Sequence, residues 1–290
     1  MQQGGGILVV GADGMIGAAL AERFVRTGAN VVRTTRHGGR GSLPLDLAVH
    51  PAGWQIPAGL SVAFLCAAIT STKECCDHPE TTRVVNVDGT VALASHLAAA
   101  GVRVVFLSTN LVFDGSAPFS RTDAPTCPRT AYGQMKAETE QRILEHGNLA
   151  CVVRLTKVIG PPLPLLAHWR DSLNRGEPIH PFSDMVMAPV SLSFATMALA
   201  SIAKTHVCGI FHGSASEDIT YAEAARRLAD RMGADCDLVQ SIRAVESGIS
   251  LEHIPQHSTL DSTRLTSEFG WTAPNALLAI DELAQSWTNL

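Results

Sequence analysis

Ile7-Leu8-Val9-Val10-Gly11-Ala12-Asp13-Gly14-Met15-Ile16-Gly17 is the stretch on which the fold turns. Four apolar residues run straight into three glycines spaced by three. A helical pattern follows, with Ile16, Leu20 and Phe24 four apart and Glu22, Arg23 and Arg26 largely off that stripe. A strand that stops at a glycine turn and restarts as a helix presents the helix's first free N–H groups, here around Met15 and Ile16, to whatever lies above the turn. Gly11 permits the tight turn, Gly14 lets a pyrophosphate approach the backbone, and Gly17 lets helix and strand pack closely. The spacing predicts a dinucleotide site, the alternative being a purely structural strand–helix turn.

The second strand begins at Val31-Val32, and its end identifies the expected dinucleotide. An NAD site carries Asp or Glu about 20 residues beyond the glycines, bound to the ribose hydroxyls. In this chain Thr35, Arg36 and His37 stand there, with Arg33 and Arg40 nearby and no carboxylate before Asp46. A guanidinium offers a fork of donors that matches a 2′-phosphate. NADP(H) is therefore the expected cofactor, set against the plainer alternative of a solvated basic loop.

Outward from this start, apolar runs alternate with helical patterns. Val62–Cys66, Val102–Leu107 and Cys151–Leu155 read as buried strands, with helices over about 82–100 and 132–145. Fully apolar strands separated by helices indicate a parallel sheet covered on both faces. The expected fold is α/β: a Rossmann-type doubly wound parallel sheet with a small, mostly helical C-terminal substrate lid. Gly160-Pro161-Pro162-Leu163-Pro164 marks the change, dividing a binding domain (1–160) from a lid (161–290), with about 194–214 returning to the main sheet.

Tyr132 and Lys136 are four apart on one of the expected helices and so share a face. Reducing a carbonyl leaves an alkoxide that must take a proton. An ammonium beside a phenol is expected to lower the phenol's pKa and to hold a nicotinamide ribose. Ser108 and Thr109 close the fourth strand, at the carboxyl edge where doubly wound sheets bind ligands, and a hydroxyl there polarises a carbonyl. The competing reading is a solvent-facing Tyr/Lys pair.

Composition narrows the classes further. The chain has 290 residues, 17% charged, with a net charge of −5. That gives no electrostatic case for nucleic acid, which is bound by clustered Lys and Arg. No apolar run approaches a membrane span. Seven scattered cysteines argue for a reducing, cytoplasmic setting rather than a disulfide framework. Glu74-Cys75-Cys76-Asp77-His78 invites a metal, but adjacent residues diverge and no second ligand pair at zinc spacing exists, so no metal is expected.

The order Gly-x-x-Gly-x-x-Gly, Ser-Thr and Tyr-x-x-x-Lys resembles the extended short-chain dehydrogenase/reductase family. Ser108 to Gly115 and Tyr132 to Glu140 are similar to its dTDP-4-dehydrorhamnose reductase branch, which also includes the beta subunit of methionine adenosyltransferase. Asp46-Leu47 resembles the adenine-side contact, Cys66-Ala67-Ala68 the loop under the cofactor, and 86–90 the central helix signature. The segments 153–160 and 260–270 resemble later parts of the family. The resemblance implies a Thr109/Tyr132/Lys136 triad with Tyr132 as proton donor, and Val158 near the nicotinamide. It implies Ser108 and Asn110 near a nucleotide-sugar substrate, and it leaves a homodimer open. Asn110 and Leu111 stand where the branch has Asp and Tyr, and Met135 stands where it has Ser or Thr. Related dehydratases carry Asp and Glu directly after the Thr, and Asn110 and Leu111 cannot move protons as those do, so keto reduction is expected over elimination. A non-catalytic NADP-binding regulator and a sugar epimerase remain the alternatives.

Overall fold

A computed structural model describes residues 5–49, 51–161, 163–248 and 255–288, so Pro162 of the proline run lies outside the described residues. The chain opens with β1 (Gly6–Val10), α1 (Met15–Arg26), β2 (Val31–Thr35), β3 (Leu43–Pro44), β4 (Leu60–Leu65), α2 (Thr72–Asp77) and α3 (Pro79–Arg83). A π-helical turn over Val84–Gly89 leads into α4 (Thr90–Ala99), β5 (Arg103–Thr109), α5 (Ala131–Leu144) and β6 (Ala150–Leu155). Then follow β7 (Val158–Ile159), α6 (Pro164–Asn174), β8 (Val186–Met187), β9 (Val190–Ser191), α7 (Leu192–Ala203) and β10 (Gly209–Gly213). The last elements are β11 (Ile219–Thr220), α8 (Tyr221–Met232), α9 (Thr263–Phe269) and α10 (Ala276–Thr288).

Seven strands form one parallel sheet in the order β10-β6-β5-β4-β1-β2-β3. The order reverses at β1, because the chain goes outward through β2 and β3 and then returns to the other side through β4. That reversal is the switch point at which open α/β sheets bind ligands. Register places Val10 beside Thr34 on one flank and Leu65 on the other, so three strand ends meet where the glycine turn begins.

The chain divides into two compact units. The first comprises 1–113, 125–154 and 196–211; the second comprises 114–124, 155–195 and 212–290. In the first, Leu8, Val10, Ala63, Leu65, Leu93, Leu97, Val104, Phe106, Ile143 and Val152 form one buried cluster. Fully burying a side chain of the Leu or Phe class contributes about 1.5–3 kcal/mol. The returning segment is tied in by Arg103, a buried guanidinium donating to the carbonyls of Ile202 (2.9 Å), Ala203 (3.1 Å) and Val207 (3.3 Å).

In the second unit α8 begins with a capping box between Thr220 and Glu223 and ends at Gly233 in the left-handed conformation. Asp281 of α10 accepts from both Arg227 and Arg231 of α8, and these bonds hold its carboxyl well below the usual range. Two short ribbons pair there, β7 with β9 in parallel and β8 with β11 antiparallel.

The expected helix over 82–100 is interrupted. Its first part is the short α3, and the π turn at 84–89 inserts a wider loop before α4. Side-chain spacing alone does not reveal a π turn, because the hydrogen-bond register shifts while the chain stays helical.

Candidate functional site

Gly11 has φ +79°, and a Cβ there would stand 2.8 Å from both the Cα and the N of Ala67. No side chain fits, so the first glycine is required by the protein itself. Gly17 is required as well, because a Cβ would collide with the Gly11 carbonyl oxygen. Gly14 differs. Its φ is an ordinary −76°, and a Cβ would meet only the Gly11 oxygen, at 3.5 Å. Nothing inside the protein demands glycine at 14. The turn is held by the Gly11 and Ala12 N–H groups, which both donate to the Thr34 carbonyl (3.0 and 2.9 Å).

α1 starts at Met15 with no side-chain cap and no acidic residue in its first turn. Its leading N–H groups, those of Met15, Ile16 and Gly17, thus carry the helix's positive end with neither a capping side chain nor an acid in the first turn.

At the end of β2, the Thr35 hydroxyl donates to the Gly38 carbonyl (3.3 Å), and Arg36 and His37 are exposed. Arg36 Nε donates to Asp46 Oδ2 at 3.0 Å, and Asp46 Oδ1 accepts from the Ala48 N–H at 2.9 Å. The Ala48 bond, with Arg36 beside it, holds the Asp46 carboxyl below its ordinary value. Leu47 is buried, and its carbonyl lies so close to the π turn that only glycine fits at 89.

Cys66, Ala67 and Ala68 follow β4. The Cys66 N–H donates to the Val10 carbonyl (3.0 Å), and Ala67 faces Gly11. This loop is fixed from below by Asn86, whose buried amide accepts from the Ile69 N–H (2.8 Å) and donates to the Ile69 carbonyl (2.9 Å). Asn86 is also the residue whose own carbonyl accepts from the Thr139 hydroxyl at 2.9 Å, joining the loop to α5.

Ser108 and Thr109 end β5 as buried residues. Thr109 Oγ1 accepts from the Leu111 N–H (3.2 Å) and donates to Asn110 Oδ1 (3.4 Å). The Ser108 hydroxyl is buried with no hydrogen-bond partner among the described residues, which leaves a donor and acceptor unspent. α5 is capped by Thr130, which accepts from the Gly133 N–H (3.1 Å). Gly133 has no room for a Cβ, which would collide with the Leu111 carbonyl. The helix start therefore lies directly against the turn that follows Thr109.

Tyr132 and Lys136 are both buried on the same face of α5. Lys136 Nζ donates to the Leu107 carbonyl (2.9 Å), lies 4.4 Å from the Phe106 ring centroid and 5.8 Å from that of Tyr132. Burial lowers its pKa to about 8, opposed by Glu140, Cys66 and Cys75. Burial raises the Tyr132 phenol above its ordinary value, and Cys75 adds to the shift. The expectation of a phenol made more acidic by its ammonium neighbour does not match this balance. Loss of water is the largest cause of the shift. The result is a phenol that stays protonated at neutral pH. Burial likewise pushes the Cys66 thiol up to about 12.

Gly11, Gly17 and Ala67 are thus brought together, as are Arg36 with Asp46 and Lys136 with Tyr132 and the end of β5. Val158 lies apart from these in the division of the chain: it belongs to the second unit, buried in β7 beside Val190. Among the described residues no helix is long and apolar enough to cross a membrane.

Two residues at this site were not among the expected contacts. Asn86 acts on the 66–69 loop, whereas the sequence places it only in the stretch 86–90 that resembles a helix signature. Glu140 stands one turn beyond Lys136 on the same helix face, where the spacing alone gave warning of it.

The family model described as RmlD substrate binding domain matches residues 5–288. A dTDP-4-dehydrorhamnose reductase of Streptomyces griseus is 29% identical over 272 residues, covering 89% of this chain and 86% of the relative. The methionine adenosyltransferase 2 subunit beta of Bos taurus is 25% identical over 284 residues, covering 89% and 81%. Among solved structures, dTDP-4-dehydrorhamnose reductase from Bacillus anthracis in complex with NADP aligns with a TM-score of 0.86 at 19% identity, covering 97% of this chain and 99% of that one.

Proposed function

Because the chain belongs to the RmlD substrate binding domain family, we propose that it is an NADPH-dependent reductase of a keto group on a nucleotide-linked sugar. The observation that carries this reading is the pair of buried polar groups at the end of β5 and on α5: a protonated Tyr132 phenol beside Lys136, one helix start away from Thr109. Gly14 supports the cofactor, since a Cβ there would meet only the Gly11 oxygen at 3.5 Å, and room for a pyrophosphate against the backbone is then the reason for a glycine. NADPH, when bound, supplies the hydride.

The residues do the rest. The free N–H groups of Met15, Ile16 and Gly17 receive the pyrophosphate, and Arg36 turns from Asp46 to a 2′-phosphate. Thr35 and His37 flank that phosphate, Asp46 and Leu47 bound the adenine, and Cys66, Ala67 and Ala68 floor the groove. Lys136 donates to the nicotinamide ribose. Thr109 donates to the substrate carbonyl oxygen, and Tyr132 gives up its proton as that oxygen becomes an alkoxide. A phenol with a raised pKa is a weaker acid, but it is fully protonated at neutral pH and an alkoxide is a stronger base than the phenolate it leaves, so the transfer still runs downhill. Ser108, with its unspent hydroxyl, and Asn110 contact the substrate.

Tyr132→Phe tests this. NADPH titration by fluorescence should change less than threefold, while oxidation of NADPH with keto-sugar nucleotides should fall by roughly 100-fold or more. Parental turnover in the variant would end the assignment of the proton donor. A regulatory role is the second reading, favoured by the likeness to the bovine beta subunit across 89% of the chain. It predicts a stoichiometric protein partner on purification and no NADPH oxidation with any keto-sugar.

A further inference from the structure

Tyr132, Lys136 and Glu140 occupy one face of α5 at successive turns, and all three are buried. Glu140 does not reach solvent to satisfy its charge. Arg154 on β6, equally buried, grips it: Nε lies 3.1 and 3.0 Å from the two carboxylate oxygens, and Nη2 lies 2.6 Å from Oε2. The Arg154 guanidinium lies 5.0 Å from the Phe113 ring centroid, which holds it from another side. A buried pair of this kind is weak evidence for stability, since apolar residues of the same volume often do as well. Its position is more telling. Among the described residues Lys136 has no carboxylate in contact; the Leu107 carbonyl and the Phe106 and Tyr132 rings surround it, so its charge depends on what lies one shell out.

We propose that Glu140, fixed in place by Arg154, is a positioning residue for Lys136, keeping the buried ammonium charged next to Tyr132. The groups that face this ammonium are few. Tyr132 and Glu140 share its helix, Cys66 follows β4, and Cys75 lies on α2. Of these, Glu140 is the one paired with a guanidinium, and burial raises both thiols. Glu140 works against the desolvation that otherwise favours the neutral amine, and Arg154 prevents it from swinging away. The catalytic meaning of this rests on the reductase reading, since Lys136 must be charged to orient a ribose and to stabilise the phenolate left when Tyr132 gives up its proton.

The test is a titration of the cofactor-free protein. The chain has only four lysines, so 13Cε labelling with Lys136→Met as the assignment control resolves the buried one. Its midpoint in the parent should fall near 8. Glu140→Gln should lower that midpoint by roughly one to two pH units, the order expected on removing a unit charge one helical turn away at an effective dielectric near 20. Arg154→Met should raise it, because the carboxylate then acts unopposed. The double variant should fall between the parent and Glu140→Gln, and its neutral pair of similar volume keeps the fold if a single variant does not. A purely structural pair would change melting temperature without ordering the midpoints in this way. An unmoved Lys136 midpoint in the folded double variant overturns the proposal. Shifted midpoints without any NADPH oxidation by the parent would keep the positioning role and sink the reductase reading instead.

Discussion

The three glycines of the turn make a paired prediction, because the structure assigns them different reasons for being there. Gly11→Ala places a methyl 2.8–2.9 Å from three atoms of Ala67 and leaves a non-glycine residue at φ +79°. The left-handed backbone costs about 1–2 kcal/mol, and forcing a methyl into a packed contact costs about 1–3 kcal/mol more. Together they predict about 2–5 kcal/mol of destabilisation, or roughly 5–15 °C in Tm for a chain of this size. Gly14→Ala places its methyl 3.5 Å from one oxygen at an ordinary φ of −76°, so the melting temperature should move by less than about 2 °C. Its effect should appear with ligand. Keeping a pyrophosphate off the backbone removes charge-assisted bonds of about 2–3 kcal/mol, which weakens NADPH by roughly 30- to 150-fold. Thermal melts by circular dichroism and fluorescence titration with NADPH read the two effects separately. A Gly14→Ala protein that binds NADPH like the parent would refute a dinucleotide over this turn. An unchanged melting point for Gly11→Ala would refute the close approach of Ala67.

Two further outcomes follow from the same geometry. Asn86→Ala leaves the Ile69 N–H and carbonyl without their partner, and should cost about 2–4 kcal/mol in chemical denaturation; a loss under 0.5 kcal/mol would show that the 66–69 loop holds itself. Arg36→Ala should weaken NADPH by about 2 kcal/mol, roughly 30-fold, while changing NADH by less than threefold in parallel titrations. Equal losses for both cofactors would mean that Arg36 serves only Asp46, its partner at 3.0 Å.

Reading the sequence located what repeats in small, local patterns. The apolar runs at 7–10, 62–66 and 102–107 are strands because they are buried on both faces, and burial on both faces is visible as an unbroken apolar string. Tyr132 and Lys136 share a face because 3.6 residues make a turn, and that needs no structure. What escaped depends on partners distant in sequence. The sequence sets Arg36 toward a 2′-phosphate, and its bond to Asp46 arises only when β3 returns the chain beside β2. The phenol's acidity was judged from the ammonium four residues away, whereas burial by the surrounding layers decides it. The membership of 114–124 in the second unit has no local signal, because it follows from contacts made with residues near 255–261. Asn86 looked like part of a helix signature, and its bonds to Ile69 become legible only once the π turn has swung it inward.

The last strand of the main sheet comes late in the chain, and this governs the order of events during synthesis. When residue 155 leaves the ribosome, β6 is complete but its outer edge is bare, and Arg103 lacks the carbonyls of 202–207 that will receive it. More than fifty further residues must be translated before β10 covers that edge. Until then the nascent chain carries an unpaired strand border, apolar apart from Arg154, a feature prone to self-association. A fragment ending near 160 would keep that border permanently, so the glycine turn and its sheet are not separable from the chain's later half.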